Sequence, residues 1–167
     1  MKISLIAAAA KNRVIGHQNV LPWYIPADLK RFREETTGKP VIMGRATHHS
    51  IEGPLPDRPD IILTATKNFR APGCIVVNSV SDALKAAGEV EEVMVIGGGS
   101  VYIQFLPLAE RIYLTEIHAI VDGGIRFPKL KEDEWKEISR KDFRRDEENP
   151  YDYSFTVLER VKTVTEI

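Results

Sequence analysis

Short β-rich apolar runs recur at Ile3 to Ala9, Val41 to Met43, Ile61 to Leu63, Ile75 to Val77, Val93 to Ile96 and Ile112 to Ile117, and helix-like segments separate several of them. The clearest helix is Pro26 to Thr37: proline suits the first turn, Leu29 and Phe32 form an apolar stripe, and Gly38 is placed to stop it. A second is capped by Ser79 or Ser81 and runs through Ala83-Leu84-Lys85-Ala86-Ala87 to Gly88. A third, Val101 to Leu106, follows three glycines and halts at Pro107. Strands alternating with helices predict βαβ units and a mainly parallel sheet covered on both faces, an α/β fold. The last third changes character. Trp135 to Phe143 and Tyr151 to Leu158 are strand-like and are joined by the charged turn Arg144 to Pro150. They predict an antiparallel hairpin at one edge, its charges a solvated face that discourages aggregation.

The opening stretch needs a decision, because Lys2 followed by Ile3-Ser4-Leu5-Ile6 and four alanines has the look of a short secretion signal. A signal peptide usually needs roughly 15 to 30 residues. Here the polar run Lys11-Asn12-Arg13 arrives too early, so the segment is read as a buried first strand. A chain of 167 residues with 43% hydrophobic content can bury one good core, which predicts a single domain. The 23 basic and 24 acidic residues nearly cancel and form no long block of like charge. That balance argues against nucleic acid and anionic membrane as partners and favours a small molecule. No apolar run approaches the roughly 18 residues that suggest a membrane span. Cys74 is the only cysteine, which excludes an intrachain disulfide and metal sites built on paired thiolates, and fits a reducing, cytoplasmic compartment.

Asp28 is the leading candidate for chemistry. A carboxylate in the first turn of a helix complements the helix dipole, which alone would explain it. However, Leu29 and Phe32 place it at the border of an apolar face. A carboxylate held among apolar side chains resists ionisation and can work near neutral pH, as a proton donor or as the partner of a cationic ligand. It is expected to be the one buried ionisable group. Ahead of it, Leu21-Pro22-Trp23-Tyr24-Ile25-Pro26 is a proline-bounded loop whose indole N–H wants a partner. Gly97-Gly98-Gly99 lies between a strand and the helix that begins near Ser100, where close backbone approach and free N–H groups suit a phosphate or a structural tight turn equally. Tyr102 stands where the third glycine of a dinucleotide fingerprint would be. Arg45 and Arg58 follow strand and turn signals, and a guanidinium so placed is either solvated surface or a clamp for phosphate or carboxylate. His17, His48, His49 and His118 show no zinc spacing, so no metal is expected.

Taken together these residues resemble the bacterial dihydrofolate reductases. The likeness rests on Ile3-Ser4-Leu5-Ile6-Ala7-Ala8, Asn12-Arg13-Val14-Ile15-Gly16, Pro22-Trp23 with Pro26-Ala27-Asp28-Leu29, Val41-Ile42-Met43-Gly44-Arg45, Pro54-Leu55-Pro56 with Arg58, and Val95-Ile96-Gly97-Gly98-Gly99. It runs from Met1 to about Arg160, which implies one domain over residues 1–160 and a tail over 161–167. It further implies a central eight-stranded sheet, mainly parallel with an antiparallel C-terminal edge, helices on both faces, and NADPH across the carboxyl ends of several strands. The reaction implied is hydride transfer from NADPH to 7,8-dihydrofolate with protonation of the pterin, by a cytoplasmic monomer.

By that resemblance Asp28 would hydrogen-bond the pterin's amino group and ring nitrogen, supported by Thr115. Ile6, Ala8, Leu29, Phe32, Ile51 and Ile96 would wall the pocket, and Arg58 would grip the glutamate tail. Trp23 and Tyr102 join Asp28 and Thr115 as catalytic candidates. The cofactor would touch Ala8, Ile15, Gly16, Asn19, Leu21, Arg45, Ala46, Thr47, Leu63, Thr64, Ala65, Gly97, Gly98, Gly99, Ser100, Val101, Tyr102 and Gln104. A loop from Gly16 to Tyr24 is expected to close over the nicotinamide, with a cis Gly97–Gly98 bond. Ala46, Ala65, Asn78 and Ser100 depart from the phosphate-binding or polar residues of many relatives, and glycine in Asp122-Gly123-Gly124 stands where an acid often steadies the closed loop. Two rivals remain. One is a same-fold pyrimidine reductase of riboflavin synthesis, disfavoured by Trp23 with Asp28; the other is a folate or nucleotide carrier without turnover, disfavoured by Asp28, the glycine turn and Arg58 together.

Overall fold

A computed structural model describes residues 1–16, 25–51 and 55–161. The first strand, β1 (Lys2–Ala10), is buried along nearly its whole length, as expected of an apolar strand with neighbours on both sides and layers on both faces. Then come β2 (Val14–Gly16), α1 (Pro26–Thr36), β3 (Val41–Gly44), α2 (Arg45–Ser50), β4 (Asp60–Leu63) and β5 (Ile75–Val77). After them follow α3 (Val80–Ala87), β6 (Glu92–Gly97), α4 (Gly99–Phe105), a 3-10 turn (Leu106–Leu108), β7 (Arg111–Ile117), β8 (Ile125–Arg126), β9 (Trp135–Phe143) and β10 (Tyr153–Arg160). The main sheet has eight strands in the order β5-β4-β3-β6-β1-β7-β10-β9. Pairs from β5 through β7 are parallel, and β10 is antiparallel to both β7 and β9. The expected α/β architecture with an antiparallel C-terminal edge is therefore the one observed. A short second sheet pairs β2 with β8.

Strand alternation divides the core between the two faces. Ile3, Leu5, Ala7 and Ala9 point to the layer built by Ala83 and Ala87 of α3 and by Val101, Tyr102 and Phe105 of α4. Ile6 points the other way, with Val41, Met43 and Met94, toward Phe32 of α1. Phe105 is fully buried; burying a side chain of that size contributes about 1.5–3 kcal/mol. Gly38 follows α1 with φ +81°, and Gly88 ends α3 with φ +78°, so both glycines stop helices where a side chain would be strained. Ser79 caps α3 by accepting from the Asp82 amide at 3.0 Å.

Three details differ from the sequence pattern. The third helix starts at Gly99 and not at Val101; it ends at Phe105, just ahead of Pro107 as expected, and Pro107 sits in the 3-10 segment that follows, where its fixed φ is tolerated. The last strand runs Tyr153–Arg160, because Tyr151 and Asp152 belong to the connection. That connection is more than a solvated turn. Asn149 is 5% exposed, and its Oδ1 accepts from the Ala27 amide of α1 at 3.1 Å.

The sheet positions a cleft by unequal strand lengths. β1 pairs with β6 only as far as Leu5 opposite Val95, whereas it stays paired with β7 as far as Ala10 opposite Ile117. From β1 the chain crosses to β3 on one side, and from β6 it crosses to β7 on the other. Such a reversal opens a crevice at the carboxyl ends of the strands, where open α/β sheets bind their ligands.

Candidate active site

The crevice is a cleft of about 240 Å³. Ile6, Ala7 and Ala8 of β1 and Ile96 and Gly97 of β6 form its floor; Asp28, Leu29 and Phe32 of α1 stand on one side, with Thr47, Ser50 and Ile51 of α2 and its C-cap. Ile15, Gly98, Tyr102 and Ile125 close it. Leu29 is 37% exposed and, with Phe32, lines this opening, so the apolar stripe read from the sequence borders the cleft.

Among the described residues, Asp28 brings the only carboxylate to the cleft wall. Thr115, on the adjoining β7 and 1% exposed, donates its hydroxyl proton to Asp28 Oδ1 at 2.6 Å. Burial pushes the Asp28 carboxyl above the usual carboxylate value, and the Thr115 hydrogen bond and the positive charge of Arg31 oppose that rise without cancelling it. The expectation that Asp28 is the one buried ionisable group does not hold: Asp28 is half-buried at the cleft wall, whereas Arg31, 9% exposed, and Asp60, 2% exposed, are buried. Arg31 donates to Thr115 and Thr156 inside, and Asp60 Oδ2 accepts from the Leu55 amide. Helix α1 carries no side-chain cap of its own at Ile25, and Asn149 supplies the missing acceptor from the β9–β10 connection.

Tyr102 lies beneath the floor. Its hydroxyl donates to the Ile6 carbonyl at 2.7 Å and lies 3.0 Å from the Ile96 carbonyl, tying β1 to β6 beside the cleft. Burial and the Asp28 charge push its pKa far up, so the phenol stays protonated and engaged with main chain. That geometry makes Tyr102 a wall and a tie rather than a proton donor. The Gly97–Gly98 peptide is cis, as the resemblance implied. The space beside these glycines is shallow: a Cβ on Gly97 would stand 3.3 Å from the Tyr102 hydroxyl, and one on Gly98 would stand 3.4 Å from Thr47 Oγ1.

All the expected pterin-wall residues, Ile6, Ala8, Asp28, Leu29, Phe32, Ile51 and Ile96, line the cleft. Arg58 lies off it: its Nε donates to the Pro56 carbonyl, and its terminal nitrogens donate to the Thr36 and Thr37 hydroxyls at the end of α1. Of the cofactor candidates, Ala8, Ile15, Thr47, Gly97, Gly98 and Tyr102 line the cleft. Leu63 and Val101 do not, since their side chains are buried in the core. Gly99 packs against Ile125 and Arg126, where a Cβ would meet Ile125 at 3.0 Å. Arg45, Ala46, Ala65, Ser100 and Gln104 are exposed and Thr64 half-buried. Arg45 stacks on Phe69 and donates to Thr66, and Gln104 donates to the Ser100 carbonyl. Asn19, Leu21 and Trp23 lie outside the described residues, as does most of the loop expected to close the site; Gly16 ends β2. Sequence reasoning missed Ala7, Ser50 and Ile125 in the lining and Arg31 behind it. Arg31 had a readable signal, being three positions after Asp28 on the same helical face.

An α/β sheet with helices on both faces, a cleft at its topological reversal and one acid at the mouth of apolar walls is the design of an α/β enzyme for a small planar ligand. A sequence model of the family described as Dihydrofolate reductase matches residues 2–160. The chain is 43% identical over 162 residues to the dihydrofolate reductase of Staphylococcus haemolyticus, covering 97% of this chain and 98% of that one. To the enzyme of Haemophilus influenzae it is 46% identical over 161 residues, covering 96% and 99%. A solved structure of dihydrofolate reductase from Enterococcus faecalis, complexed with NADP(H) and RAB-propyl, matches with a TM-score of 0.90 at 33% identity, covering 96% of this chain and 97% of that one. The chain belongs to the dihydrofolate reductase family.

Proposed function

We propose that this chain reduces 7,8-dihydrofolate to tetrahydrofolate at the expense of NADPH, and that the single carboxylate of Asp28 on the apolar cleft carries the reading. A pterin is flat and apolar on its faces and offers an amino group and a neighbouring ring nitrogen along one edge. Ile6, Phe32, Ile51 and Ile96 meet the faces, and Asp28, anchored through Oδ1, meets the edge. When bound, NADPH supplies the hydride that goes to the carbon of the pterin C=N bond, while the nitrogen takes a proton. Ala8, Ile15, Thr47, Gly97 and Gly98 fit a flat ring beside the pterin, since they present backbone, small side chains and one hydroxyl.

Within this reading the protein orients the two rings, excludes water with its apolar walls, and holds a negative charge that favours the protonated pterin. Arg58 uses three of its N–H groups on Pro56, Thr36 and Thr37. A guanidinium has five, and the remainder, which have no partner among the described residues, would meet the glutamate carboxylate of folate. Residues 1–160 act as one domain, and the chain works as a cytoplasmic monomer. The lone, half-buried Cys74 fits the reducing compartment of that reading.

The test is NADPH oxidation with and without dihydrofolate, in the wild type and in Asp28→Asn. Oxidation should require dihydrofolate and fall about a hundredfold or more in the variant at neutral pH, recovering partly in acid. Wild-type turnover by Asp28→Asn at all pH values would overturn the role of Asp28, and oxidation indifferent to dihydrofolate would overturn the substrate.

A further inference from the structure

Arg31 is a buried cation behind the cleft and not part of its lining. It lies one helical turn after Asp28 on the same face of α1 and is 9% exposed. One terminal nitrogen donates to Thr115 Oγ1 at 3.1 Å, the other donates to the Thr156 carbonyl at 2.7 Å, and the guanidinium carbon sits 4.8 Å from the centre of the Phe155 ring. The Thr115 hydroxyl has one proton, and an arginine can only donate. Because Thr115 Oγ1 accepts from Arg31, its proton points to Asp28 Oδ1, 2.6 Å away. The three side chains therefore form a directional relay, Arg31 to Thr115 to Asp28. Oδ1 is fixed as an acceptor, and Oδ2 accepts from no protein donor among the described residues.

We propose that Arg31 is a positioning residue for the reductase chemistry, acting through Thr115 to hold the Asp28 carboxylate ionised and turned to the ligand, and so setting the pH range of the enzyme. This rests on the role of Asp28 proposed above. A fixed opposite charge and a donated hydrogen bond both favour the anion, and both count for more in a site partly shielded from water. Other groups facing the pair do not substitute for Arg31. From α4 the Tyr102 phenol stays protonated and engaged by carbonyls, and from β10 the Tyr153 phenol is also held protonated by burial. Burial pulls the Arg31 pKa below its ordinary value, and the neighbouring charge of Asp28, with smaller contributions from Glu35 one turn on and Tyr113 of β7, opposes that fall.

The experiment titrates Asp28 by carboxyl-carbon NMR, with Asp28→Asn to assign the signal, and measures the pH profile of kcat/KM for dihydrofolate in the wild type, Arg31→Met, Arg31→Gln and Arg31→Lys. Loss of the charge should move the Asp28 midpoint upward by about one pH unit or more in Arg31→Met and Arg31→Gln. The kinetic profile should move with it, and Arg31→Lys should return both toward the wild type. If the methionine variant fails to fold because the Thr156 carbonyl loses its donor, the glutamine variant, which keeps an amide donor, decides. An unchanged midpoint in a folded neutral variant overturns the inference while leaving Asp28 in place. A midpoint that moves while Asp28→Asn remains fully active would instead overturn the reading of Asp28.

Discussion

Asp28 is an acid kept where its charge is costly, and that cost has a sign. Its carboxyl pKa is raised in the folded protein by burial, so the folded state favours the protonated form. Stability from this group is therefore fully present below the unfolded value of about 4 and is lost as pH rises through the higher folded value. Asp28→Asn, which mimics the protonated acid, should have a urea midpoint close to that of the wild type in acid and above it at neutral pH, even as activity falls. A midpoint below the wild type at neutral pH would mean that the anion stabilises the fold. Such an exchange of stability for function is common at active sites. Arg58 illustrates the opposite arrangement, a cation presented at the surface by fixed partners. Arg58→Leu should weaken dihydrofolate binding by roughly 1.5–3 kcal/mol, the value of a charged hydrogen bond. A pterin without the glutamate tail should be nearly unaffected, and equal losses for both ligands, measured by fluorescence titration, would make Arg58 structural.

Among the elements, α1 carries the most chemistry and has no cap of its own. Pro26 suits the first turn but Ile25 cannot cap it, and the Ala27 amide is satisfied only by Asn149, far away in sequence. Asn149 is itself held by Asp146, whose Oδ1 accepts from the Asn149 backbone amide at 2.7 Å. The antiparallel edge thus fixes the first turn of the helix that bears Asp28. Asn149→Ala should lower stability by about 1 kcal/mol in urea unfolding, the usual effect of losing a helix cap. A loss close to zero would show that the contact to Ala27 is incidental.

On the scale of the whole molecule, the parallel strands gather at one end groups that the chain holds far apart. Arg45 follows β3, Thr64 and Ala65 follow β4, Asn78 follows β5, and Ser100 opens α4. If the extra ribose phosphate of NADPH is read here, the chain offers it Arg45 and several hydroxyls, and Ala46 and Ser100 add no charge. NADPH should be preferred over NADH, but modestly. Ser100→Arg should widen the ratio of kcat/KM values about tenfold, since one charged hydrogen bond contributes roughly 1.5–3 kcal/mol. A ratio that does not change would place the phosphate elsewhere.

The strands and the three longest helices were legible because their signals are local. Val41-Ile42-Met43 and Val93-Met94-Val95 are apolar on every residue, as strands buried on both faces must be, and Gly38 and Gly88 stop helices through their own backbone freedom. Asp28 could be singled out for the same reason, from the apolar neighbours on its own helix. The short elements β2, α2 and β8 could not, since two to six residues carry almost no periodicity and, unlike Ile75-Val76-Val77 of β5, none of the three is an unbroken run of β-branched residues. Nor could the partners of Asp28 be derived from the pattern of residues: Thr115 lies 87 positions away, and the resemblance alone suggested it. Arg31 draws no reading of its own from the sequence despite sharing a helical face with Asp28, and Asn149 reads there as part of a charged, solvated turn. Their burial depends on Thr115, Thr156 and Ala27 arriving from other elements, and a polar group goes inside only where the assembled fold supplies hydrogen bonds to replace water.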